Sequence, residues 1–192
     1  MVQVKKPQSR AAILDAAQRL FRRQSYHTTT LAQIARAAGM STANLYVYFD
    51  SKLEILYAIY DPWIHQRLLR LESEIANLSD SKSKLRRLLK TLWIDLPSEK
   101  TGLVNNIMQA LSTASPVDNY KPKTLNWTVR KLDTILQECL PPGRKARIER
   151  ARIGYLLLMA YDGFAIYRHV HPRGRPDKEM IETVISMLLG DS

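Results

Sequence analysis

Between Thr30 and Lys52 the chain gathers side chains that hydrogen-bond well and that no hydrophobic core requires: Thr30, Gln33, Ser41, Thr42, Asn44, Tyr46, Tyr48 and Lys52. Their chemistry is that of recognition. An asparagine amide can make two hydrogen bonds to an adenine edge, a threonine can bond a base or touch a thymine methyl, and Ala43 between them offers only a methyl contact. Tyr46, Tyr48, Thr30 and Lys52 suit phosphate oxygens. The competing role for Tyr46 and for Tyr48, which adjoins Phe49, is core packing; for Asn44 it is that of an exposed polar residue in a first helical turn.

Two short helices are needed to present these groups. Thr30 with Gln33 three residues on is a capping box, and Leu31, Ile34, Ala35 and Ala38 then share an apolar face. Gly39 ends that helix, and Ser41 is a ready N-cap for the next, whose Leu45, Tyr48 and Phe49 can face the same core. This is the pattern of a helix-turn-helix. A preceding helix from Ser9 to about Gln24 supplies Ile13, Ala16, Ala17, Leu20 and Phe21 on one face. A following long helix is opened by a second capping box at Ser51 and Glu54, and Pro62 is expected to kink or break it.

The charge balance agrees with a polyanionic partner. Of a net +11, residues 1–60 hold eight Lys or Arg against three acids, net +5, and the rest of the 192 residues hold 21 bases against 15 acids, net +6. The basic density is thus about twice as high around the helix-turn-helix. Residues 1–8 read as a loose basic tail, either disordered or an arm for phosphate or a minor groove.

The stretch SYHTTTLAQIARAAGMSTANLYVYFDSKLEIL resembles the DNA-binding region of the TetR/AcrR family of bacterial transcriptional repressors, over about residues 9–60. The resemblance implies a palindromic operator in double-stranded DNA, read by two copies of the chain, and a C-terminal region that detects a small molecule. Three positions depart from the family pattern: Ser25 and Ala43 replace glycines, and Thr28 replaces an alanine. Ser25 is expected to strain a left-handed helix end by about 1 kcal/mol.

The fold expected is all-α, with a three-helix DNA-binding domain over 8–68 and a helical ligand-sensing and dimerisation domain over 69–192. Residues 82–96 predict a helix with Leu85, Leu88, Leu89 and Leu92 inside and a solvated basic face of Lys82, Lys84, Arg86, Arg87 and Lys90. Further helices follow around 104–111 and 125–140. From about Lys145 to His169 the chain is apolar on more than one face, and residues 180–189 carry a broad apolar stripe. A helix apolar nearly all round must be covered twice, so these last two helices are expected to pack against their copies in a homodimer.

Trp63, Trp93 and Trp127 fall on different helices, with Tyr57, Met108, Tyr161 and Phe164 as neighbours that could line a pocket for a mostly apolar or aromatic effector. Ordinary core packing is the competing explanation. Catalysis has little to stand on: there is no Gly-rich phosphate loop and no nucleophile elbow, and His169-x-His171 lacks further ligands, so neither an enzyme nor a metal or other cofactor is expected. The single cysteine, Cys139, excludes an internal disulfide, and the lack of a long apolar span or leader sequence argues for a cytoplasmic protein with no membrane partner.

Overall fold

The computed structural model describes residues 6–99, 101–113, 123–150 and 152–190. Every regular element among them is helical: α1 (Pro7–Thr28), α2 (Leu31–Ala37), α3 (Thr42–Tyr46), α4 (Lys52–Ala76), α5 (Ser81–Lys90), α6 (Leu103–Thr113), α7 (Lys123–Cys139), α8 (Pro142–Arg150), α9 (Ile153–Val170) and α10 (Lys178–Leu189). A π-helical turn (Thr91–Asp95) and a 3₁₀ turn (Leu96–Ser98) follow α5.

Two compact units share the chain without a single cut between them. The first takes in the described residues up to Trp63 and those of 101–113; the second takes in Ile64–Glu99 and the described residues from 123 onward. Within the first, α1 lays Ile13, Ala16, Ala17 and Phe21 against α2 and α6. Pro7 occupies the first turn of α1, where a missing N–H costs nothing, so the helix starts two residues before Ser9. It absorbs the end of the basic tail; residues 1–5 lie outside the described residues. α6 is hooked to α1 by two hydrogen bonds: Asn106 Nδ2 donates to Phe21 O at 3.2 Å, and Gln109 Oε1 accepts from His27 N at 3.3 Å.

Near its end α1 contains a break in all but name. Ser25 sits at φ 73°, ψ 166°, a conformation that only glycine adopts freely. The strain expected from sequence is present, but in the extended half of positive-φ space instead of the left-handed helical one. α4 runs on through Pro62 without ending there, at the loss of one backbone bond, and the division between the two units falls at the residue after next.

In the second unit α5 carries Leu85, Leu88 and Leu89 to the core, as its spacing requires. Its basic face is not simply solvated. Arg86 forms a bidentate pair with Glu182 of α10 at 2.6 and 2.8 Å, and Arg87 donates to Glu74 and Asp95. These guanidinium groups hold the Glu74 and Glu182 carboxyls below the usual carboxylate range. The acids lie up to about a hundred positions away in sequence, so helical spacing could not pair them.

The apolar stretch from Lys145 is two helices, not one. Pro142 opens α8, and Arg152, at φ 51° and ψ 46°, turns the chain before α9 begins. α9 buries Gly154, Leu157, Leu158 and Tyr161 on one side, against α7 and the π turn among others. Its other side leaves Tyr155, Leu156, Met159, Ile166, Tyr167 and Val170 exposed, and α10 adds Met187 at 73% exposure. Gly190 ends α10 at φ 77°, and Arg144 donates to Leu189 O at 2.7 Å in the space a side chain at 190 would need. No helix among the described residues is long and apolar enough to cross a membrane.

Candidate nucleic-acid interface

The capping box of α2 is formed as its sequence implies. Thr30 Oγ1 accepts from Gln33 N at 3.2 Å, and Gln33 Oε1 accepts in return from Thr30 N at 2.9 Å and from Gln24 Nε2 at 3.0 Å. Such a cap is worth about 1 kcal/mol and fixes where the helix starts. Gly39, at φ 71°, closes α2, with Met40 N donating to Ala35 O. Ser41 then caps α3 by accepting from Asn44 N at 3.2 Å. Ile34, Ala35, Leu45 and Phe49 lock the two helices to the core, so their remaining faces are held in one orientation.

On those faces Thr30, Gln33, Arg36, Ser41, Ala43 and Tyr46 are exposed, Tyr46 by 51%, and Thr42 is partly so. Tyr46 is therefore not a core residue. Asn44 is half-buried; its Oδ1 is enclosed with no hydrogen-bond partner, while its NH₂ end is not enclosed. In this conformation the amide can donate outward, for instance to a purine N7, but does not present its oxygen.

Tyr48 and Lys52 have internal duties. Tyr48 is buried, and its hydroxyl accepts from Lys6 N at 3.2 Å, tying α3 to the start of α1. Lys52 Nζ donates to Tyr26 O and Thr29 O, each at 2.8 Å, and lies 4.2 Å from the Tyr26 ring centroid. It thereby caps the carbonyls at the strained end of α1, and burial lowers its pKa. An ammonium has three protons, so one is left for a further acceptor. At the entrance of α4, Ser51 accepts from Glu54 N, and the Glu54 carboxylate reaches back to Asp50 N at 2.7 Å.

Two cations beside this surface escape a motif-based reading. Arg10 lies over the Phe49 ring at 5.1 Å, and Arg36 is exposed in the last turn of α2. Only their positive charge, placed on helices that flank the polar face, marks them in the sequence.

The residues expected to line an effector pocket divide between the units. Tyr57, Trp63 and Met108 belong to the first, where Trp63 packs on Tyr60 at 5.5 Å; Trp93, Trp127, Tyr161 and Phe164 belong to the second. There Trp93 meets Phe164 at 5.4 Å, Trp127 stacks on His65 at 3.6 Å, and Tyr161 is buried. His169 and His171 are exposed, and no group of His, Cys, Asp and Glu suited to a metal occurs among the described residues. Cys139 is buried, which pushes its thiol up to about 12 and leaves it unreactive.

Residues 13–59 match the family model described as bacterial regulatory proteins, tetR family. A helix-turn-helix transcriptional regulator of Mycobacterium tuberculosis (strain CDC 1551 / Oshkosh) is 30% identical over 168 residues, covering 73% of this chain and 79% of that one. Matches to other curated relatives span about half of their length or less, 49% and 38% in two cases. Among solved structures, the transcriptional regulator FadR from Bacillus subtilis in complex with stearoyl-CoA superimposes with a TM-score of 0.66 at 21% identity, over 95% of this chain and 98% of that one. AibR in complex with isovaleryl coenzyme A and operator DNA does so with a TM-score of 0.57 at 19% identity, over 94% and 98%. The fold is common to all of them, and the capped α2–α3 pair lies inside the matched residues: this chain belongs to the TetR family of bacterial regulatory proteins.

Proposed function

We propose that the chain is a homodimeric transcriptional repressor that binds a palindromic operator and leaves it when a small, mostly apolar or aromatic effector binds the C-terminal helices. The observation that carries the reading is the face of α2 and α3, where polar and aromatic side chains stay exposed on helices whose caps and buried residues fix their direction. α3 enters the major groove, with Thr42, Ala43 and Asn44 at the base edges. Thr30, Gln33, Ser41, Tyr46 and Tyr48, with the remaining proton of Lys52, hold phosphates. Functional division falls near residue 68, with effector sensing and dimerisation beyond it, and the protein works in the cytoplasm.

Dimerisation follows from the outer side of α9 and from α10. Six large apolar side chains of α9 are exposed there, and isolated monomers rarely leave so large a contiguous patch in water. Gly163 lies among them with open space where a side chain would go, so nothing within the chain requires a glycine. A second α9 approaching closely does. The relatives support the reading: AibR is known with operator DNA and an acyl thioester, and FadR with another.

Selection of bound sequences from random duplex DNA tests this directly. A palindrome should emerge, and Asn44→Ala should lose about 1–3 kcal/mol of discrimination at one base pair per half-site while preserving the rest of the motif. Recovery of no motif, or of one without two-fold symmetry, would count against the proposal.

A further inference from the structure

One buried group of the second unit is not explained by packing. Trp93 lies on the π turn Thr91–Asp95 with 7% of its surface exposed, and its Nε1–H meets no acceptor among the described residues. A buried donor left unmade is expensive, and an indole N–H can only donate, so no rearrangement of the ring satisfies it. Thr91 also has an enclosed hydroxyl without a partner, but a helical threonine can rotate its hydroxyl towards the carbonyl one turn back. Trp93 has no such internal remedy. A phenylalanine would fill much of the same space without the penalty.

The setting suggests why the donor is there. Single π turns inside helices re-aim side chains and are frequent at functional sites. Here the turn packs on α9, and the Trp93 ring lies 5.4 Å from Phe164 at an interplanar angle of 45°. Phe164 is only partly buried, so the N–H sits beside an apolar wall that is not closed by the chain itself.

Resting on the effector-responsive reading above, we infer that Trp93 anchors the effector: its indole N–H donates to a carbonyl oxygen of a ligand whose apolar body lies along Phe164. The π turn positions the donor, and the fold bears its unmet hydrogen bond when the site is empty. An effector of this class carries a carbonyl on an aromatic or aliphatic body and needs no positive charge.

The test uses the full-length protein with ¹⁵N-labelled indoles and a matched pair of probes, 2-acetylnaphthalene and 2-isopropenylnaphthalene, which differ only in C=O against C=CH₂. The carbonyl compound should bind the wild type at least about tenfold more tightly and move the Trp93 Nε1–H resonance downfield. Trp93→Phe should bind the two equally and melt no lower than the wild type. Equal binding of the pair to the wild type, discrimination that survives in Trp93→Phe, or a lower melting temperature for that variant would each overturn the assignment while leaving effector binding intact. Should neither probe disturb any indole signal, the aromatic-effector reading itself fails and takes the anchor with it. The wild-type pair decides the matter even if the variant does not fold.

Discussion

Replacing Ser25 by glycine should make the protein more stable, although it removes a side chain. At φ 73° and ψ 166° the serine Cβ crowds the backbone, at a cost of about 1–3 kcal/mol. Glycine relieves that strain but gives back about 0.5–1 kcal/mol through the greater freedom of the unfolded chain. The serine hydroxyl contributes little to offset this, since its one contact, with Thr28 Oγ1, is exposed and 3.4 Å long. The Thr29 hydroxyl donates to the Ser25 carbonyl at 2.6 Å, and a main-chain acceptor survives the change. The net gain is therefore about 1 kcal/mol, or about 2–4 °C for a chain of this size. Differential scanning calorimetry or urea denaturation followed by circular dichroism measures it. Ser25→Ala is the control, because it keeps the Cβ at the same φ and should gain nothing. A glycine variant no more stable than the wild type, or an alanine variant that gains as much, would refute the reasoning.

Three other outcomes are expected. Lys52→Met keeps the stem but leaves Tyr26 O and Thr29 O without their donor, so it should lower the melting temperature by several degrees; it should also weaken all DNA sequences alike and reduce the salt slope by about one. Gly163→Trp, placed on the exposed side of α9, should convert the dimer to a monomer in sedimentation equilibrium with its helical circular dichroism unchanged. Asp162 is pushed up to about 6 by burial. A carboxyl whose folded pKa is raised binds its proton more tightly when folded, so stability falls as pH rises from about 4 through 6. Asp162→Asn should accordingly stabilise at pH 7.5, by up to about 3 kcal/mol, and make no difference at pH 4.5.

The helix-turn-helix was readable because its determinants are local. Thr30 and Gln33, Ser41 and Asn44, and the glycine at 39 each act within five residues, and the structure forms each of them. Ser25 was legible as an anomaly for the same reason, though not the region of conformational space it would occupy. What sequence spacing could not convey depends on partners far away in the chain. Lys52 has the type and position of a phosphate contact, yet two of its protons go to carbonyls 26 and 23 residues back. The basic face of α5 looked solvent-bound because Glu182, which answers Arg86, is 96 residues on. The π turn left no mark on the leucine spacing, and the end of α8 depends on a positive φ at an arginine, a residue that does not signal one.

The attachment of α6 to α1 also sets an order of events during synthesis. Residues up to Trp63 leave the ribosome long before Asn106, so the carbonyl of Phe21 must wait for its donor while the whole of α5 and the π turn are being made. The DNA-reading helices can be capped early, but the surface of α1 that α6 covers stays open to water until residue 113 has emerged. A nascent chain interrupted within that interval carries a formed recognition motif on an unfinished support.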